Sequence, residues 1–176
     1  IVGRFQHVHI GHEKLINIGL KLCKKLLVFI GSANQEPCER NPYTYEYRKS
    51  LIEIIYKDEI ESGKLVIAPL NDWEDSKALT PKWGEYVLEN AKSIIGEYPN
   101  CIIYGKDKDI FKCFAKETVK NMSEVYVDRN TLIISATKMR AFLLEDNKKE
   151  WMKYSDEKIH FKYDELKEKL EKVYCK

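Results

Sequence analysis

Five short apolar runs, set between longer stretches of helical spacing, constrain this chain most. They are IVGRF (1–5), LLVFIGSA (26–33), KLVIAPL (64–70), CIIYG (101–105) and EVYVD (124–128). Each is rich in Val, Ile or aromatic residues and nearly continuous in apolar character. That is the pattern of strands covered on both faces. Between them, Leu15, Ile16, Gly19, Leu20 and Cys23 recur at helical spacing over 12–25, and Leu51, Ile52, Ile55 and Tyr56 do so over 45–57. Further helices are expected over 82–95 and 108–120. Strand–helix–strand alternation implies right-handed crossovers and a parallel sheet. The expected fold is therefore α/β, a doubly wound parallel sheet. Such sheets take ligands at the carboxyl ends of their strands, near the point where the strand order reverses.

Composition sets the outer bounds. The chain of 176 residues is long enough for one domain with its own core, and 44% hydrophobic and 33% charged residues suit a globular protein. A formal net charge of +2 gives no argument for a nucleic-acid partner. Cys23, Cys38, Cys101, Cys113 and Cys175 are odd in number and form no Cys-x-x-Cys pair. Reduced thiols and a cytoplasmic location are expected, rather than a disulfide framework or a zinc ribbon. No apolar run approaches the ~20 residues of a membrane span, and no signal-peptide pattern is visible, so no membrane partner is expected. The first run opens at Ile1 in what reads as mid-strand, and a few residues are expected ahead of it.

Two units are expected: a main domain over 1–150 and a C-terminal helical extension over 151–176. The extension is highly charged, with a thin apolar stripe of Leu166, Leu170 and Val173. It reads as a helix packed on the same domain, with a partner-binding helix as the alternative.

The first strand leads into three histidines, His7, His9 and His12, with Gly3 before them and Gly11 among them. Three readings are available: a metal site, a phosphate site, or a solvated loop without a role. Three imidazoles suit zinc, but nothing nearby supplies an obvious carboxylate or carbonyl partner to orient them. The phosphate reading uses more of the stretch. Gly3 lets the backbone approach a ligand, and Gly11 removes a side chain just before the helix. His12 then begins a helix whose free N–H groups and dipole favour an anion. Arg4 adds a permanent charge.

With those residues in view, GRFQHVHIGH resembles the signature Gly-Arg-Phe-Gln-Pro-x-His-x-Gly-His of the nicotinamide mononucleotide adenylyltransferases, within the wider His-x-Gly-His nucleotidyltransferase superfamily. His7 stands where that family usually has Pro, a change expected to loosen the loop. ISATKMR (134–140) is similar to the second superfamily signature, Ile-Ser-x-Thr-x-x-Arg. Ser135 and Thr137 are good capping residues, and Arg140 can fork onto two phosphate oxygens. Asn41, Pro42, Tyr43, Thr44 and Arg48 match a third stretch, in which Thr44 caps a helix and Arg48 is free to swing toward phosphate. Asp72 and Trp83 match a fourth, and Gly105, Lys108 and Asp109 a fifth, found in the branch often fused to a hydrolase. No Nudix-like box occurs in this chain. The resemblance covers about residues 1–145, and the tail adds nothing to it.

The resemblance implies a Rossmann-like nucleotidyltransferase that joins ATP to nicotinamide mononucleotide, releasing pyrophosphate. His9, His12 and Arg140 are the implied catalytic residues. Gly3, Arg4, Phe5, Arg48, Gly105, Lys108, Asp109, Ser135 and Thr137 are the implied ATP-binding set. Asp72 and Trp83 are the implied contacts to the mononucleotide, with Trp73 a rival for stacking on the pyridine ring. Mg²⁺ is expected to travel with ATP, and no dedicated protein metal site is expected. Relatives commonly assemble, so a homo-oligomer is in keeping with the resemblance. The same chemistry on nicotinic acid mononucleotide, phosphopantetheine or flavin mononucleotide is the nearest alternative. A nucleotide sensor without turnover is another.

Overall fold

The computed structural model describes residues 1–72, 80–105, 113–128 and 134–174. Within them the five expected strands form at β1 (Val2–Gly3), β2 (Leu26–Gly31), β3 (Leu65–Leu70), β4 (Cys101–Tyr104) and β5 (Ser123–Tyr126). Every pairing between these strands is parallel. Leu26 to Gly31 run in register with Leu65 to Leu70, and Val2 and Gly3 lie beside Phe29 and Ile30. Cys101 to Tyr104 run beside Ser123 to Tyr126.

The ladders fall into two sets, β1-β2-β3 and β4-β5, rather than one continuous sheet. Helix α1 (Ile10–Leu22) lies against both. A Cβ on Gly19 would stand 2.8 Å from the Leu26 methyls and 3.2 Å from the Ile103 δ-methyl, so α1 packs closely on β2 and β4 here and a larger residue would make those side-chain ends shift.

The apolar continuity of the strands has a simple cause. In β2, Leu26, Val28 and Ile30 join one core cluster and Phe29 joins another; in β3, Leu65 joins the first and Ala68 and Leu70 the second. Side chains alternate across a strand, so both faces are covered. On one face lie α1, α2 (Tyr45–Ile55) and the C-terminal helices; on the other lies α4 (Pro81–Ile95), through Val87, Leu88 and Ala91. The short helix α3 (Lys57–Glu61) follows α2.

Of the helix expected over 108–120, the described residues contain α5 (Lys116–Val119). The part over 108–112, with Lys108 and Asp109, lies outside the described residues, as does Trp73, while 113–115 precede the helix without being α-helical. The C-terminal part forms α6 (Ala136–Leu144), α7 (Lys148–Lys153), a 3-10 turn and α8 (Tyr163–Tyr174). The boundary expected at 150 thus falls inside α7. Leu166 and Leu170 of the expected stripe are buried, as are Trp151 and Ile159, all in the cluster that holds β2. The Tyr43 hydroxyl donates to the Leu166 carbonyl at 3.2 Å, tying α8 to the segment before α2. Among the described residues no helix is long and apolar enough to cross a membrane.

Candidate active site

The site begins where β1 and β2 end. Phe5 and Ser32 both adopt the left-handed region, with φ of 52° and 51°. For residues with a Cβ this is strained, of order 1–3 kcal/mol each, and it persists only where surroundings impose it. Arg48 imposes it. Its guanidinium donates to the carbonyls of Arg4 at 2.6 Å, Gly31 at 2.7 Å, Ser32 at 3.0 Å and Thr44 at 3.1 Å. The residue is fully buried at 0% exposure. The expected swing toward phosphate therefore meets a different arrangement: Arg48 clamps the two strand ends from below. The helix that carries it starts as expected, with the Thr44 hydroxyl accepting from the Tyr47 N–H at 3.3 Å.

Gln6 continues the same work. Its side chain both donates to the Tyr43 carbonyl and accepts from the Tyr43 N–H, each at 3.0 Å. The first turn is thereby fixed against the segment leading to α2. Sequence reading gave Gln6 no such task, because backbone partners leave no signature.

Helix α1 starts earlier than its sequence suggests. His9 is the cap, its Nδ1 accepting from the Gly11 N–H at 3.1 Å, and the helix runs from Ile10. His12 is the third helical residue rather than the first. The capping bond also sets a tautomer: a neutral His9 carries its proton on Nε2. The rings of His9 and His12 lie 4.0 Å apart between centroids, and the Phe5 ring stands 4.8 Å from that of His12.

The second helix start meets this loop. Ser135 caps α6, its hydroxyl accepting from the Lys138 N–H at 3.2 Å. Arg140, in the second turn of α6, donates to the Gln6 carbonyl, and its Nη2 lies 3.5 Å from the Thr137 hydroxyl. Its buried Nε has no partner among the described residues. Arg4 adds a further guanidinium, held to the Asn41 side chain at 3.3 Å. Burial lowers the Arg4 pKa first, and the charges of Arg40 and Arg140 lower it further. Three cations are thus close enough to feel one another, which builds an anion-attracting field. Arg40, exposed on the 33–42 loop, was not singled out in the sequence reading; a cation beside Asn41 was the signal.

Asp72 lies at the carboxyl end of β3, accepting from the Ser32 hydroxyl at 2.9 Å, while its own N–H donates to the Asn34 side chain at 2.8 Å. Gly3 packs against the Phe5 ring, and Gly105 is buried after β4. Trp83 sits in the first turn of α4, edge-on to Phe114 at 6.1 Å. With Val2, Phe29 and Phe114 it lines a cavity of about 1030 Å³ that His9, His12 and Arg140 do not line.

His7 corrects an expectation. In place of a loosened loop, the structure shows a ring held on both nitrogens. It is fully buried, its Nδ1 bonded to the Val8 carbonyl and its Nε2 accepting from the Trp151 indole N–H at 2.9 Å.

One acid in the first turn of α1 also titrates unusually. Burial, then the charge of Asp156, pushes Glu13 up to about 7. Because the folded value lies above the unfolded one of about 4.5, the folded state holds the extra proton between them, and stability falls as pH rises through that window. Glu13→Gln is expected to flatten this fall. The check is thermal unfolding of both proteins from about pH 5 to pH 8; equal slopes would contradict the assignment.

An α/β domain that brings two helix starts and several guanidinium groups to the ends of parallel strands is a nucleotide-binding domain of the phosphate-gripping kind. The chain belongs to the cytidylyltransferase-like family, whose sequence pattern matches residues 1–173. The match runs through the tail, so the shorter span of about 1–145 drawn from the motifs is corrected. The nicotinamide-nucleotide adenylyltransferase of Archaeoglobus fulgidus is 27% identical over 163 residues, covering 90% of this chain and 85% of that protein. A bifunctional NMN adenylyltransferase/ADP ribose pyrophosphatase from Francisella tularensis, complexed with AMP and a manganese ion, superposes with a TM-score of 0.65 at 27% identity. There the chain covers 82% of its own length and 40% of the larger protein. Plasmodium falciparum nicotinic acid mononucleotide adenylyltransferase, at 17% identity and a TM-score of 0.55, shares the fold. The resemblance read from the motifs is borne out by these relatives.

Proposed function

We propose that this chain transfers the adenylyl group of ATP to nicotinamide mononucleotide, giving NAD and pyrophosphate. The observation that carries the reading is the Arg140 contact to the Gln6 carbonyl. It brings the start of α6 against the turn that leads to His9, so one triphosphate can be held from two sides.

A 5′-phosphate oxygen of the mononucleotide attacks the α-phosphorus of ATP, and the bond to the bridging oxygen breaks as pyrophosphate leaves. A phosphate oxygen is already nucleophilic at neutral pH, so the protein need supply no base. Its work is positioning and charge neutralisation. His9 and His12 hold ATP phosphates, and His12 steadies the charge that builds in the transition state. Arg140, Ser135 and Thr137 receive the departing pyrophosphate. Arg4 neutralises from the opposite side, with Gly3 and Phe5 shaping the turn. Gly105, Lys108 and Asp109 serve the adenosine end. Arg48 acts from beneath, by holding the strand ends.

Mg²⁺ enters as part of the ATP substrate, carried by phosphate oxygens and water. Among the described residues no group of three or more His, Cys, Asp or Glu side chains is placed to hold a metal ion.

Pyrophosphate release from ATP and Mg²⁺, with nicotinamide mononucleotide, nicotinic acid mononucleotide, phosphopantetheine and flavin mononucleotide as separate acceptors, tests the reading. Turnover is expected with nicotinamide mononucleotide. Nucleotide binding without pyrophosphate from any acceptor would establish a sensor instead.

In this reading Asp72 and Trp83 are the contacts to the acceptor, Trp83 reaching it from a cavity that His9, His12 and Arg140 do not line. A flat indole stacked on a cationic pyridinium contributes roughly 0.5–2 kcal/mol. Trp83→Ala is therefore expected to raise KM for the mononucleotide several-fold and KM for ATP much less. Steady-state kinetics with each substrate varied in turn will show it; equal changes in both would remove the stack.

A further inference from the structure

His7 is the residue at which this chain leaves the family signature, and its ring is bonded to the C-terminal layer. Its ring is 0% exposed, and Trp151, its partner across 144 residues of sequence, is also 0% exposed. Trp151 itself is held edge-on to Tyr163 at 5.2 Å, and its carbonyl accepts from the Ser155 hydroxyl at 3.0 Å. A second bond flanks the same turn: the Ile10 N–H, the first of α1, donates to the Tyr154 carbonyl at 3.0 Å. His9 stands between these two anchors. An indole N–H only donates, so the His7 nitrogen that receives it must be unprotonated. The proton of His7 then lies on Nδ1, against the Val8 carbonyl.

We propose that His7 is a positioning residue: locked in one tautomer by Trp151, it fixes the turn that presents His9 to the nucleotide phosphates. The proposal rests on His9 being a phosphate ligand. In the family signature a proline ring stiffens this turn. Here a long-range hydrogen bond does so, and the C-terminal helices become part of the support of the site. Burial pushes the His7 pKa down to about 4, so the tautomer persists at neutral pH. The geometry of a phosphate donor matters at this scale, since small misplacements of a reacting group cost up to about 10²-fold in rate.

Two measurements test the proposal. In the wild-type protein, nitrogen NMR of ¹⁵N-histidine is expected to show His7 protonated at Nδ1 and His9 protonated at Nε2. A proton on Nε2 of His7 overturns the proposal, and this measurement needs no variant to fold. The second is a double-mutant cycle of His7→Phe and Trp151→Phe. Each single change is expected to lower kcat roughly 10-fold to 10²-fold, to move KM for ATP less, and to release His9 from its single tautomer. The double variant is expected to fall no further than the worse single one, because both remove the same bond. Additive losses, or single variants that keep kcat within about two-fold and His9 in one tautomer, overturn it. Should the wild type release no pyrophosphate, the adenylyltransferase reading fails, while the His9 tautomer in the variants still decides whether His7 positions the turn.

Discussion

Replacing His12 with alanine is expected to lower turnover roughly 10²–10³-fold while the protein stays folded. The size follows from the kind of catalysis the site performs. With a phosphate oxygen as nucleophile, no proton need be removed to start the reaction, and the barrier is dominated by charge spreading over the triphosphate. A donor aimed at that charge contributes several kcal/mol in a site that excludes water. His12 is placed for this. It lies in the first turn of α1, where the N–H groups and the dipole already favour an anion, with its ring beside those of Phe5 and His9. The side chain is half-buried and its ring contacts those of Phe5 and His9 at the site, so its loss is expected to leave the two apolar clusters in place. Pyrophosphate release should therefore fall with little change in the thermal unfolding temperature. KM for ATP is expected to move less than kcat, because the interaction strengthens in the transition state. Near-wild-type turnover in a folded His12→Ala protein would remove His12 from the mechanism.

The parallel α/β architecture was legible because strands buried on both faces must be apolar almost continuously, and helices between them must not. β2 shows why: Phe29 serves one core cluster and Val28 and Ile30 the other, so no position could be polar. The start of α6 was legible because serine is a common cap, and Ser135 caps it. The start of α1 was misplaced for the converse reason. Histidine is a rare cap, and His9 does the work with a ring nitrogen. The lack of a β1–β4 ladder was not legible either, since pairing depends on how the packed elements place the two strands, not on the character of either strand. Long-range partners were the least legible. Nothing near His7 in sequence points to Trp151, and nothing near Gln6 points to the backbone of Tyr43. Family motifs name the residues that face a ligand; the bonds that hold them in place run largely to main-chain atoms, which every residue carries.

Arg48 shows the cost of that difference, and its replacement carries the largest expected effect on stability. Arg48→Met keeps the length and apolar stem of the side chain but removes every donor. The buried Gly31 and Ser32 carbonyls and the part-buried Arg4 carbonyl then lose a charged partner, the Ser32 carbonyl keeping a long bond from the Gln35 N–H at 3.4 Å and the Thr44 carbonyl its helical bond from the Arg48 N–H. Hydrogen bonds to charged groups contribute about 1.5–3 kcal/mol each, and an orphaned buried carbonyl costs about 1–3 kcal/mol. Even with partial relaxation, a loss of roughly 4 kcal/mol follows, a large share of the 5–15 kcal/mol that holds a typical domain together. For a chain of this size the unfolding temperature should drop by about 10 °C. The strain at Phe5 and Ser32 makes relaxation the more damaging outcome. Released from the guanidinium, both strand ends can leave the left-handed region, and the turn that carries Gln6 and His9 moves with them. Arg48→Lys is expected to recover part of the stability only, because one ammonium cannot span carbonyls on three separate segments as the planar fork does. The experiment also separates two roles for this residue. A clamp predicts that stability falls first and that nucleotide affinity follows the loosened turn. A direct phosphate ligand predicts weaker ATP binding at unchanged stability, and an Arg48→Met protein that unfolds within about 2 °C of wild type would decide for the ligand.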